Sequence, residues 1–110
     1  HGMVTCLVTN APNYAFEPIK KKLNLRKFFG EHMYNSCMVN YTFKPDPALL
    51  LFAMEKLSVT PEECMIFEDT MKGITAAERA GIKRIVAIRS EGMINDYRDL
   101  LGIPLKNYCF

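Results

Sequence analysis

The sequence lacks several features that would assign it to a special class of protein. Its four cysteines form no CxxC pair and show no zinc-ligand spacing, so no zinc site is indicated. No apolar run approaches the roughly 20 residues that span a bilayer. The net charge of +2 is too small to argue for a nucleic-acid partner or a membrane surface. We therefore expect neither of these two partners.

What is present is ordinary for one globular domain. The chain has 110 residues, of which 49% are apolar and 24% charged. It shows no internal repeat, low-complexity tract or linker, so residues 1–110 are taken as one unit. Cys6 and Cys64 fall in predicted strands, where we expect small core residues of a reducing compartment. The expected location is therefore cytoplasmic.

Strand and helix patterns alternate along the whole chain. Short apolar runs predict strands at 3–9, 36–40, 64–67 and 83–88, and amphipathic stretches predict helices at 14–23, 47–57, 71–80 and 93–101. Such alternation predicts an α/β fold with a parallel, doubly wound sheet and helices on both faces. Expected core residues are Leu25, Phe28 and Phe29, with an apolar stripe of Leu50, Leu51, Met54 and Leu57 on the predicted helix at 47–57.

Two adjacent carboxylates mark the most informative segment. The run 65–67 ends in Glu68 and Asp69, and Thr70 follows as the expected N-cap of a helix that Gly81 closes. The carboxyl end of a buried strand is where open α/β sheets bind ligands. Two adjacent charges repel each other and favour a cation. With no Cys or His nearby, oxygen ligands suit Mg²⁺ rather than Zn²⁺.

Three motifs in order carry a family resemblance: VTN at 8–10, KPDP at 44–47 and FEDTMKGITAAERAG at 67–81. Together they resemble the later motifs of the haloacid dehalogenase-like (HAD) superfamily of phosphohydrolases, near its β-phosphoglucomutase and sugar-phosphatase branch. The resemblance covers about residues 1–88. It implies a Rossmann-like parallel sheet, and Gly73 is expected to allow a close approach of helix and strand.

The resemblance also implies roles for five residues. Thr9 is expected to bind the transferring phosphoryl group, with Asn10 as a further substrate or phosphate contact. Lys44 is expected to neutralise charge on that phosphoryl group. Asp69 would bind Mg²⁺ directly and Glu68 would support it, although both acids remain candidate ligands. The acidic pair favours phosphate chemistry over metal-free carbon–halogen cleavage.

The family's first motif, a strand ending in two aspartates two residues apart, has no match in this sequence. We therefore expect residues 1–110 to be the later part of the core domain, without its first strand and its cap domain. That strand would lie between those at 3–9 and 64–67, supplied by a complementary N-terminal peptide or a swapped protomer. Because the first of its aspartates is the nucleophile, this chain alone is expected to be inactive.

Three functions are compared. The first is the later portion of a Mg²⁺-dependent phosphatase or phosphomutase that acts on a small phosphorylated metabolite through an aspartyl-phosphate. The second is a binding or regulatory module that kept the fold and lost catalysis. The third, a phospho-acceptor receiver-type domain, is disfavoured because there the acids precede the Thr and Lys, whereas here they follow them.

Overall fold

The computed structural model describes residues 3–88, which contain four strands and four α-helices. The strands are β1 (Leu7–Thr9), β2 (Met33–Asn35), β3 (Met65–Glu68) and β4 (Arg84–Ala87); the helices are α1 (Asn13–Lys22), α2 (Arg26–Phe29), α3 (Ala48–Leu57) and α4 (Met71–Arg79). Short 3-10 helices cover Ser36–Val39 and Pro61–Glu63. The predicted helix at 93–101 lies outside the described residues. Among those described, no helix has the length and apolar character needed to cross a membrane.

The predicted α/β class and the parallel pairing of the strands are both confirmed. β1 pairs in parallel with β2, and β3 in parallel with β4. Within residues 3–88 these are two separate two-stranded sheets, ordered β1-β2 and β3-β4. Every strand therefore has one edge without a strand partner in the described structure, and the edges of β1 and β3 are the ones relevant to the predicted missing strand.

Helix α3 joins the two sheets through the core. Leu50 and Met54 pack into a cluster with α4 and β4, whereas Leu49 and Ala53 pack with Tyr34 of β2. Val8 of β1 contacts both clusters. The two apolar clusters thus share one helix, α3.

The helix boundaries follow from local capping. Thr60 and Glu63 form the reciprocal capping box that opens the 3-10 helix. Thr70 caps α4, its hydroxyl accepting a hydrogen bond from the Gly73 N–H at 3.1 Å. Gly81 follows α4 with φ +85°, a left-handed conformation that glycine adopts without strain. These ends agree with the expected helix over 71–80 and its closing glycine.

Two strand predictions need correction. The first strand begins at Leu7 rather than residue 3, and Met3 is 87% exposed. The second strand is Met33–Asn35, and residues 36–39, predicted as strand, form a 3-10 helix. The pairing explains both: β1 and β2 match over only three residues, ending at Thr9 opposite Asn35. Beyond that pair the chain turns, through left-handed Asn40 and Tyr41.

The predicted core residues were partly wrong. Leu51 is 47% exposed, while Leu49 is fully buried in its place, so the apolar stripe of α3 is rotated by one position. A helix that packs on two sheets buries residues that are adjacent in sequence. A prediction that assumes one buried face therefore misplaces the centre of the buried surface. Phe28 is 63% exposed rather than an anchor, and Leu25 and Phe29 are half-buried. Cys6 and Cys64 are partly rather than fully buried.

Candidate active site

The carboxyl ends of β1 and β3 bring the predicted site residues to one edge of the molecule. Thr9 is the last residue of β1 and Glu68 the last of β3. Lys44 comes from the loop before α3, where the rigid Pro-Asp-Pro segment leads into the helix. Because both strands belong to parallel pairs, their ends are where a ligand of an α/β sheet is expected.

The Lys44 side chain lies between the two sheets. Its ammonium group donates to the Val8 carbonyl oxygen of β1 at 3.3 Å and to Glu68 Oε2 of β3 at 3.1 Å. The Lys44 and Glu68 side chains are only 10% and 9% exposed. The backbone N–H of Lys44 donates to Asn10 Oδ1 at 2.9 Å. Strand, loop and helix therefore all contribute to the placement of one buried positive charge.

Glu68 uses both carboxylate oxygens within the protein. Oε1 accepts hydrogen bonds from the backbone N–H groups of Asp69 and Thr70 at 3.1 and 3.2 Å, and from the Thr70 hydroxyl at 3.2 Å. Oε2 is paired with Lys44. A buried carboxylate needs such partners because desolvation of an unpaired charge is costly. Direct binding of a metal by Glu68 would require it to give up some of them.

Asp69 has a different environment from Glu68. It follows β3 directly and is exposed, so its carboxylate is accessible from solvent. Residues 3–88 contain no group of three His, Cys, Asp or Glu side chains that could hold a metal ion. The donors present are carboxylate oxygens, which fit Mg²⁺ chemically. They form only part of a coordination shell, since Mg²⁺ usually binds through one or two carboxylates together with water and phosphate oxygens.

Thr9 and Asn10 lie beside this charged pair. The Thr9 hydroxyl oxygen accepts a hydrogen bond from the Ala11 N–H at 3.2 Å, an interaction within its own turn. The hydroxyl hydrogen remains a donor that can meet an anionic oxygen. Hydrogen bonds connect Asn10, Lys44 and Glu68 directly, whereas Thr9 and Asp69 adjoin this group along the chain.

Sequence reasoning missed three contributors to the site. The Val8 carbonyl oxygen leaves no signal in a side-chain pattern. Thr70 was predicted as a helix cap, but its contact with Glu68 was not. Gly73 was expected to allow a close approach of helix and strand, and the strand residue that it approaches is Glu68, a contact that was not predicted. Its position five residues after Glu68, in the first turn of α4, was the only available hint.

Cys6 and Cys64 do not offer an alternative nucleophile. Burial, reinforced by the nearby Cys64, raises the pKa of the Cys6 thiol to about 11. Burial also raises the pKa of the Cys64 thiol, with a further contribution from Glu63 and Glu62. The thiolate is the reactive form of cysteine, so both groups are poor nucleophiles at neutral pH.

Comparison with known proteins identifies related sequences. The sequence profile of the haloacid dehalogenase-like hydrolases matches residues 1–81. The phosphorylated carbohydrates phosphatase of Thermotoga maritima is 35% identical over 95 residues, which are 86% of this chain and 42% of that protein. The 6-phosphogluconate phosphatase of Escherichia coli is 30% identical over 78 residues, 71% of this chain and 35% of that protein.

A solved structure shows the same likeness in three dimensions. The crystal structure of a putative β-phosphoglucomutase from Thermotoga maritima superposes with a TM-score of 0.76 at 34% identity, covering 91% of this chain and 44% of that one. The chain thus spans less than half the length of each of these relatives.

Proposed function

The chain belongs to the haloacid dehalogenase-like hydrolase family, and we propose that it is the later portion of a phosphatase or phosphomutase that acts on a small phosphorylated metabolite such as a sugar phosphate. The observation that carries this proposal is the buried Lys44 ammonium group, held between β1 and Glu68 at the carboxyl edge of the strands. A fixed positive charge at this edge suits a phosphoryl group, whose transition state spreads negative charge over its oxygens.

In the proposed reaction, an aspartate from outside this chain attacks phosphorus and forms an aspartyl-phosphate as the metabolite's oxygen leaves. Water then hydrolyses the aspartyl-phosphate in a phosphatase, with a second aspartate as acid and base. Thr9 would donate its hydroxyl hydrogen to a phosphoryl oxygen, and Asn10 would adjoin the substrate. The Lys44 ammonium group would stabilise the negative charge on the equatorial oxygens of the phosphoryl group in the transition state. Because the ammonium group is already fixed in place, no solvent has to be reorganised.

Mg²⁺ is part of the proposal as a cofactor. Asp69 would be its ligand from this chain, because its carboxylate is exposed while Glu68 is occupied by Lys44 and by backbone donors. Glu68 would support the site by fixing Lys44 and the backbone of Asp69. When bound, the ion would neutralise phosphoryl charge.

We also propose that a further strand lies between β1 and β3, supplied by an N-terminal peptide or a swapped protomer. Leu7 donates its N–H toward β2, so the polar groups of the next residue, Val8, point to the opposite side. Glu68 accepts from Ile88 after β4, so Phe67 likewise points away from β4. The Val8 carbonyl oxygen on this side accepts from Lys44, and strand edges with backbone groups that no neighbouring strand pairs favour the addition of a strand. The unpaired thiols of Cys6, Cys37 and Cys64 are in keeping with a cytoplasmic location.

Activity of the Lys44→Ala variant tests the phosphatase proposal. In the complete protein, with Mg²⁺ and a panel of sugar phosphates, we expect kcat to fall about a hundredfold to a thousandfold, the usual effect of removing one fixed group that stabilises transition-state charge. Lys21→Ala, an exposed lysine on α1, serves as the matched control and should leave kcat unchanged. Equal kcat in both variants would contradict the role of Lys44. Absence of phosphate release from every substrate would instead favour a non-catalytic module.

A further inference from the structure

Gly73 occupies a position in α4 where a side chain has no room. A methyl group built on its Cα would lie 1.9 Å from Glu68 Cδ, 2.1 Å from Oε2 and 2.2 Å from Cγ. All three atoms belong to the one buried carboxylate side chain of the site. A side chain at position 73 would therefore force the Glu68 side chain to move from its present place.

The backbone at this position does not itself demand glycine. Gly73 is the third residue of a regular α-helix and lacks the left-handed φ found at Gly30 and Gly81. An alanine could adopt the same helical backbone, and alanine stabilises a helix interior relative to glycine. The helix would therefore gain from a substitution that the Glu68 side chain could accommodate only by moving.

The oxygen that a methyl group would displace is the one that holds Lys44. Glu68 Oε2 is 2.1 Å from the built methyl position and accepts from Lys44 Nζ at 3.1 Å. We propose that Gly73 is a positioning residue: its missing side chain provides the space in which Glu68 fixes the Lys44 ammonium between β1 and β3. The catalytic meaning of this placement rests on the function proposed above, whereas the placement itself does not.

Thr70 links the glycine to the same carboxylate by hydrogen bonds. The Gly73 N–H donates to the Thr70 hydroxyl oxygen at 3.1 Å, and that hydroxyl donates to Glu68 Oε1 at 3.2 Å. The start of α4 therefore adjoins both carboxylate oxygens of Glu68. Thr70 donates a hydrogen bond to Oε1, and Oε2 lies where a side chain of residue 73 would be. Movement of the helix start would move the charge on which Lys44 depends.

The test is Gly73→Ala in the complete protein, with three measurements. We expect the urea midpoint to fall, although helix propensity alone would raise it. Acetylation of Lys44 by acetic anhydride, followed by peptide mass spectrometry, should become faster relative to the exposed Lys21. If the proposed activity holds, kcat should fall about a hundredfold, the scale of a small misplacement at a reacting centre. As a control, the urea midpoints of Lys72→Ala and Lys72→Gly are compared. Their difference gives the ordinary effect of alanine against glycine on stability in the same helical turn.

A second background identifies the cause. In Glu68→Ala the three crowded atoms are gone, so adding Gly73→Ala should now raise the urea midpoint. If Gly73→Ala alone does not fold while Glu68→Ala does, recovery of folding in the double variant supports the proposal, and failure of the double variant to fold overturns it. An unchanged or raised midpoint with unchanged Lys44 acetylation also overturns it. Midpoint and acetylation are independent of turnover, so a failure of the proposed activity would show separately in the Lys44→Ala assay.

Discussion

Adjacent carboxylates of one motif have opposite environments in this protein. Glu68 is buried against Lys44 and three donors, whereas Asp69 is exposed at the strand end. Removing one partner of a buried ion pair leaves an uncompensated charge and is strongly destabilising. Mutation of Asp69 is therefore expected to change metal dependence, whereas mutation of Glu68 is expected to change stability.

Asp69→Asn and Glu68→Gln separate a metal ligand from a structural carboxylate. For Asp69→Asn we expect the Mg²⁺ concentration that gives half-maximal activity to rise at least about tenfold, with little change in stability. For Glu68→Gln we expect a loss of about 3–5 kcal/mol in the free energy of unfolding, because Lys44 loses its counter-charge. Magnesium titrations and urea unfolding measure the two effects. Unchanged Mg²⁺ dependence in Asp69→Asn would refute its assignment as ligand.

At the scale of elements, α3 is the part that unites the fold. It buries Leu50 and Met54 against α4 and β4, and Leu49 and Ala53 against β2. Its start also follows the loop that carries Lys44, so the packing of α3 and the position of the ammonium group are coupled. Disturbing this helix is expected to loosen both sheets together.

Leu49→Ala and Leu51→Ala form a matched pair on α3. Leu49 is fully buried, so its truncation should lower the free energy of unfolding by about 2–5 kcal/mol. Leu51 is 47% exposed, and its truncation should change that free energy by about 0.5 kcal/mol or less. Urea unfolding of the complete protein measures both. Equal losses would contradict the orientation of the helix described above.

For the whole molecule, the decisive feature is the pair of strand edges between the two sheets. Within residues 3–88, β1 and β3 each pair on one side only, and Lys44 contacts both. A row of unpaired backbone groups favours association with another strand. The oligomeric state of the 110-residue chain should therefore depend on whether such a strand is available.

Purification of the 110-residue chain tests this expectation. By light scattering we expect the isolated chain to self-associate, and we expect a co-expressed N-terminal segment with a strand ending in DxD to convert it into a defined complex. Intact mass spectrometry under denaturing conditions should then show a second polypeptide beside the 12.6 kDa chain. A monomer of 12.6 kDa with cooperative unfolding, which does not bind the segment, would contradict the proposed central strand.

Helix capping and the alternation of strand and helix patterns made much of the fold predictable from the sequence. Thr70 and Gly81 mark the ends of α4 through contacts a few residues apart, so the bounds of this helix were predicted within a residue or two. The chain alternation likewise predicted the parallel α/β class. Short strands were less accurate, because the length of β1 is set by its pairing with β2 rather than by its own apolar run.

The sequence by itself determined the family, the parallel α/β class and the identities of the candidate site residues, because motif order and helix capping are properties of neighbouring residues. Only the tertiary structure decided how these residues are used. It paired Lys44 with Glu68, left Asp69 exposed and gave Gly73 its place beside a carboxylate. Lys44 and Glu68 are 24 residues apart in the chain, and such contacts depend on how α3 and α4 pack across two sheets.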